Sequence, residues 1–188
     1  MKNEIPDICA DRLDYLLRDM LLLKRIDPKK VDDILSDLSV HNNKLVFTDK
    51  ETAKYFAEEF IEMNKVFWAT PLQVALFKIL SDAIRMALSR NVISEADIFL
   101  TDNELYKKLE ESRDEEITDI LDLISNLSVI EDKKEYDIHI KSKVRYADPE
   151  ILLDGKITRL SEIDNSFKKN MNNFLQEMSK GFFVRIKK

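Results

Sequence analysis

Histidine is nearly absent from this chain of 188 residues, which holds two, His41 and His139, neither followed by aspartate. His41 lies in Val40-His41-Asn42-Asn43-Lys44, which reads as a turn between two short strands. His139 alternates with Tyr136, Ile138 and Ile140, which puts it on the solvent face of a strand. Both read as ordinary surface histidines, because a lone histidine is a weak metal signal. A single cysteine, Cys9, excludes an internal disulfide and fits a reducing compartment. Two glycines and four prolines leave few breaks in the chain and favour long helices. No apolar run approaches the roughly 18 residues needed to span a bilayer. Met1-Lys2-Asn3-Glu4 begins no signal peptide, so a cytoplasmic location is the default expectation.

What is present describes a soluble globular protein with a real core: 44% of residues are hydrophobic and 35% charged. The net charge of −6 is unevenly spread. Residues 1–132 carry 17 basic and 28 acidic side chains, whereas residues 133–188 carry 13 and 8. A basic tail could touch nucleic acid or a polyphosphate. No recognised nucleic-acid motif accompanies the charge, so a solvated face is the preferred reading and no nucleic-acid partner is expected.

The spacing predicts a first helix over about 7–23. Asp27-Pro28 supplies a cap and a first-turn proline for a second helix through about Asp37. A hairpin is expected over 38–47, turning at His41-Asn42-Asn43. Thr48-Asp49-Lys50-Glu51 has the form of a capping box and opens a helix carrying Tyr55, Phe56, Phe60, Met63, Phe67 and Trp68. Pro71 breaks or kinks it, and an apolar helix resumes through Leu88; these two helices are expected to form the core. At helical spacing the aromatic stripe reads as packing more readily than as a ligand pocket. Short helices follow at Ser94, Thr101 and 115–126.

From Leu127 the texture alternates as strands do, at Val129-Ile130, at 136–140 and at Lys143-Val144-Arg145-Tyr146. Asp148-Pro149 is expected to open a helical turn, and Asp154-Gly155 a tight turn before Lys156. A last helix should end at Gly181, with a closing strand over 182–186. The expected class is mainly α with a small antiparallel β lobe. Residues 1–126 form the helical part and 127–188 a small α+β C-terminal lobe.

The densest chemistry lies in Cys9-Ala10-Asp11-Arg12-Leu13-Asp14-Tyr15-Leu16-Leu17-Arg18-Asp19. On a helix Asp11, Tyr15, Arg18 and Asp19 line one side, while Leu13, Leu16, Leu17 and Met20 mostly line another. Asp14 and Arg18 can pair at i, i+4, which needs no function. The three carboxylates could equally be a plain solvated helix face.

This run resembles the D-x-x-D-Y-x-x-R-D signature of HD-domain metal-dependent phosphohydrolases, in the deoxynucleotide triphosphohydrolase branch, at every fixed position. Thr101-Asp102-Asn103-Glu104-Leu105, Lys143–Pro149, Arg159–Glu162 and Gly181–Arg185 resemble later segments of that family in order. The resemblance implies that residues 1–126 are the second half of an HD-type domain. It further implies that Asp11 is a metal ligand, Arg12 a basic residue reaching the nucleotide, Tyr15 a ring packed near the sugar, and Asp19 an acceptor for a sugar hydroxyl. The other ligands of such a site, a histidine and a His-Asp pair, lie upstream in the family, and only ten residues precede Asp11 here. The family's phosphate-facing arginine falls at Glu59, and the histidine of its V-Y-x-H-like segment at Ala69.

Two expectations follow. The chain is a truncated or split phosphohydrolase part, inactive alone, whose divalent metal (Mn, Mg, Fe or Zn) binds only if a partner chain with the H…HD half supplies the missing ligands. Alternatively it is a non-catalytic helical module for interaction or oligomerisation. Either predicts a partner or self-association, with a nucleotide as a possible ligand and no membrane.

Overall fold

A computed structural model describes residues 4–187. Helix α1 spans Ala10–Leu22, α2 Pro28–Ser36, strand β1 Leu38–His41, β2 Lys44–Phe47 and α3 Lys50–Met63. Helices α4 (Pro71–Ser89), α5 (Asp102–Glu111) and α6 (Glu115–Ser125) follow. The remainder is β3 (Val129–Glu131), β4 (Ile138–Ile140), β5 (Glu150–Leu153), β6 (Lys156–Arg159), a one-turn α7 (Leu160–Ile163), α8 (Asn165–Ser179) and β7 (Phe182–Ile186). This is the mainly helical α+β class expected, and among the described residues no helix is long and apolar enough to cross a membrane.

Local chemistry sets most of the element starts. Asp27 accepts from the Lys30 amide at 2.8 Å with Pro28 in the first turn, and Thr70 accepts from the Gln73 amide at 3.2 Å ahead of Pro71. Thr101 and Glu104 cap α5 reciprocally. Each such cap contributes about 1 kcal/mol. One cap is displaced from its expected place: Asp49, not Thr48, accepts from the Thr52 amide at 2.7 Å. The Thr48 hydroxyl is drawn instead to Asp37, donating to its carboxylate at 2.5 Å, and so ties the end of α2 to the start of α3. After Met63 the helix widens into a π-helical turn, Asn64–Trp68, before Thr70 restarts the chain as α4.

Two compact units form, each from two stretches of chain. The first takes the chain through Ala69 together with Lys143–Lys180. Its sheet has the order β1-β2-β5-β6. Strands β1 and β2 form the expected hairpin, with Asn42 and Asn43 at φ of 50° and 61°, values an asparagine tolerates. Strands β5 and β6 form a second hairpin around Asp154-Gly155, and β2 joins it in parallel with Phe47 opposite Ile151. Helix α3 packs on α1, α8 and β2, and Phe56, Phe60, Leu16 and Phe167 are fully buried there.

The second unit comprises Thr70–Ser142 and the segment from Gly181. Helix α4 packs on α6 and on an antiparallel sheet of order β3-β7-β4, and Ala87, Ile93, Leu109, Ile117 and Leu121 form its core. Gly181 precedes β7 at a φ of 75°, and an added Cβ would stand 2.6 Å from the Ile140 carbonyl oxygen. Only glycine fits, for backbone and steric reasons together. His139 is exposed on β4, as expected, and stacks on Phe183 with centroids 4.2 Å apart.

Three expectations are corrected. Helices α3 and α4, expected to share one core, belong to different units because Thr70 and Pro71 restart the helix in its own packing environment. Among the described residues Lys143–Tyr146 pairs with no strand: the segment is anchored at its end, where the Asp148 amide donates to the Pro6 carbonyl at 3.1 Å. Asp148-Pro149 leads into β5, not a helical turn, because Ile151 is fully buried and pairs with Phe47 and Thr158.

Candidate active-site cleft

The start of α1 opens onto a cleft of about 800 Å³ in the first unit, a size ordinary for a small-ligand site. Asp11, Arg12 and Tyr15 line it, with Glu4, Ile5 and Cys9 from the preceding turn. Lys143 and Arg145 complete the wall from the unpaired segment before β5. Three of the four residues to which the resemblance assigns a role therefore share one cavity.

Asp19 does not line it. Its carboxylate accepts from the Trp68 indole N–H at 2.7 Å. Trp68 in turn meets Tyr15 edge-on with centroids 4.9 Å apart, and Phe60 lies 5.8 Å from the same Tyr15 ring. Asp19 thus fixes Trp68, and Trp68 and Phe60 fix the ring that faces the cleft. By its helical spacing Trp68 reads as part of the packing stripe. Its second role comes from the π-helical turn, a feature that recurs at functional sites and has no simple sequence mark, so no signal in the sequence announces it.

Charge in the cleft is mixed. Burial pushes the Tyr15 phenol up to about 12; the Arg145 and Arg12 cations pull it down, and Asp11 adds to the rise. The neutral phenol is therefore the folded-state form, and its stabilising contribution is complete below the ordinary value of 10 and lost as pH rises through about 12. Replacing Asp11 by Asn should lower the Tyr15 value. Absorbance titration of tyrosinate, with Tyr15→Phe identifying the phenol concerned, reads the shift; an unchanged or raised value would mean that Asp11 is not beside the phenol.

A polar network holds the cleft's two walls in register. Arg12 donates to the Asp7 carbonyl at 2.5 Å. The Arg159 guanidinium reaches the Asp7 carboxylate at 2.5 Å and the Asp148 carbonyl at 2.8 Å. Lys44 bridges Asp7 and Glu150 at 3.2 and 3.0 Å. Burial works to raise the Asp7 carboxyl, but Arg159 and Lys44 outweigh it and hold the group below its usual range. The buried Asp148 carboxylate accepts from the Ser161 amide and hydroxyl at 3.0 and 2.6 Å, which seats the end of the Lys143–Ala147 segment.

The metal centre implied by the resemblance does not fit this chain's residues alone. Glu4, Cys9 and Asp11 line the same cleft, yet among the described residues no three His, Cys, Asp or Glu side chains converge to hold a metal ion. Glu59, at the place of the family's phosphate-facing arginine, pairs with Arg25 at 3.2 Å.

No family model matches the chain. It is similar to the uncharacterized protein YdhJ of Bacillus subtilis, with 33% identity over 189 residues, spanning all of this chain and 58% of that protein. It is also similar to the metal-dependent phosphohydrolase cns2 of Cordyceps militaris, with 22% identity over 158 residues, 80% of this chain and 46% of that protein. A relative of this chain is thus named a metal-dependent phosphohydrolase. The chain spans about half the length of these curated relatives.

Proposed function

We propose that the cleft is one side of an HD-type phosphohydrolase site for a (deoxy)nucleotide, to which this chain supplies Asp11 as a metal-side carboxylate, Arg12 and Tyr15 as nucleotide-side residues, and Asp19 as a residue that positions Tyr15. The observation that carries the reading is the convergence of Asp11, Arg12 and Tyr15, all from the D-x-x-D-Y-x-x-R-D run, on one cleft of ligand size. In this reading Asp11 and Arg12 face the ligand, and Tyr15 offers its ring edge to a sugar. Asp19 acts through Trp68, holding the Tyr15 ring in place. The histidine and His-Asp ligands come from a partner segment, so this chain alone is not competent.

A second reading, a non-catalytic interaction module, draws on Glu59, whose pairing with Arg25 leaves a carboxylate where the resemblance implies an arginine. One experiment separates the two. The part of the Bacillus subtilis relative that lies outside the match is co-expressed with this chain, and the co-purified pair is assayed for deoxynucleotide hydrolysis with manganese. The site reading expects turnover by the pair, none by either chain alone, and loss of turnover with Asp11→Asn. A pair that assembles without turnover supports the module. Turnover by this chain alone, or full turnover by the Asp11→Asn pair, would sink the site reading.

A further inference from the structure

Most cations of the first unit that lie near carboxylates are neutralised by them: Lys44, Lys50, Lys54 and Arg159 all sit in ion pairs. Lys143 and Arg145 are different. Both are exposed, both line the cleft, and among the described residues neither has an ion-pair partner. Arg12, the third cation of the cleft, spends one nitrogen on a neutral carbonyl. A chain with a net charge of −6 therefore lines one cavity with three cations that, among the described residues, form no ion pair, alongside Asp11 and Glu4.

Lys143 and Arg145 are exposed on an unpaired segment, two residues apart, and the residues between and after them are more buried. In an extended chain, residues two apart project to the same side roughly 7 Å apart. Both long side chains can then approach an anion in the cleft from neighbouring points of one wall, and a chain of several phosphates offers each its own oxygens. An arginine and a lysine at this separation combine a planar fork with a mobile point charge, a set that serves phosphate chains well. The backbone is held in place by Asp148, whose carboxylate is tied to Ser161, so the two side chains need not order the segment on binding.

We propose that Lys143 and Arg145, with Arg12, bind an oligophosphate chain in this cleft, and that they do so in this chain alone, with neither metal nor partner. The phosphate-binding role that the resemblance places at Glu59 is thereby carried by a different segment. The proposal deepens the reading of the cleft as a nucleotide site and rests on it for the substrate, but not for the binding itself.

The test is calorimetric titration of the whole chain with inorganic triphosphate and, separately, with a deoxynucleoside triphosphate, at low and moderate ionic strength. Binding is expected to both, to weaken with salt, and to fall at least tenfold in Lys143→Gln/Arg145→Gln. The charge-matched control Lys168→Gln/Lys169→Gln, on an exposed face of α8, should bind as the unaltered chain does. Lys143→Arg/Arg145→Lys should retain binding to within a few fold, which separates lost charge from a damaged fold. Tighter binding of the nucleotide assigns the phosphate chain to a nucleotide, and equal binding assigns it to free oligophosphate. No binding by the unaltered chain, or an equal loss in the control, overturns the proposal. The two readings fail separately. An assembled pair without turnover, alongside triphosphate binding that needs Lys143 and Arg145, removes the catalytic reading only. Full turnover by a pair carrying Lys143→Gln/Arg145→Gln removes the present proposal only.

Discussion

Phe60→Ala should lower the unfolding free energy by about 3–5 kcal/mol, a large part of what a domain of this size has. Phe60 is fully buried on α3 and stands at the centre of an aromatic array. Its ring lies 5.1 Å from Trp68, 5.8 Å from Tyr15 and 6.1 Å from Phe56. Truncation removes the transfer energy of the ring and leaves a cavity that α1, α3 and the π-helical turn cannot all close upon. The effect reaches the cleft, because Tyr15 loses one of its two supporting rings. Urea denaturation measures the stability, and near-ultraviolet circular dichroism under native conditions reads the aromatic array. Phe60→Leu, which keeps most of the volume, should cost less than half as much. A loss under about 1 kcal/mol for the alanine variant would show that the array does not support this unit.

Asp164→Ala should cost about 2–4 kcal/mol near neutral pH, from a lost helix cap and two lysines left without their anion. The side chain is buried at the start of α8 and accepts from the Ser166 hydroxyl at 2.5 Å and the Phe167 amide at 2.9 Å. Lys50 and Lys54 approach its second oxygen at 3.1 and 3.2 Å, joining α3 to α8. The Ser166 and Phe167 hydrogen bonds, followed by the two lysines, outweigh the opposing effect of burial and hold the carboxyl far below its usual range. A depressed folded value means that the contribution is complete above the ordinary carboxylate value of 3.8 and is lost as pH falls through the folded value. The difference in stability between the native chain and Asp164→Ala should therefore be flat from neutral pH down to about 4 and shrink only below it. Thermal melting across that range checks it. A difference already declining at pH 6 would assign the stability to another group.

The elements were largely legible along the chain wherever the signal is local. Asp27-Pro28, Thr70-Pro71, Thr101 with Glu104, Asn42-Asn43 and Asp154-Gly155 each announce their structure through one side chain and its own neighbours, and each forms it. The misreadings share a different origin. Thr48 lost the cap of α3 to Asp49 because Asp37, 11 residues back, claimed its hydroxyl. Lys143–Tyr146 alternates like a strand, yet its anchor is Pro6 at the other end of the chain. In both places a distant partner overrode a sound local pattern.

The candidate site divides along the same line. By its own order of residues the chain determined that Asp11, Arg12 and Tyr15 stand on one helix, because a helical period places neighbours by counting alone. Only the tertiary structure decided that Lys143 and Arg145 face them, that Asp19 serves Trp68 and not the cavity, and that Glu59 is taken up by Arg25. Those contacts join residues 34 to more than 130 positions apart. Separations of that size carry no periodic trace in a sequence; they follow from burying α3 against α1 and α8 and from seating the segment before β5 on Asp148.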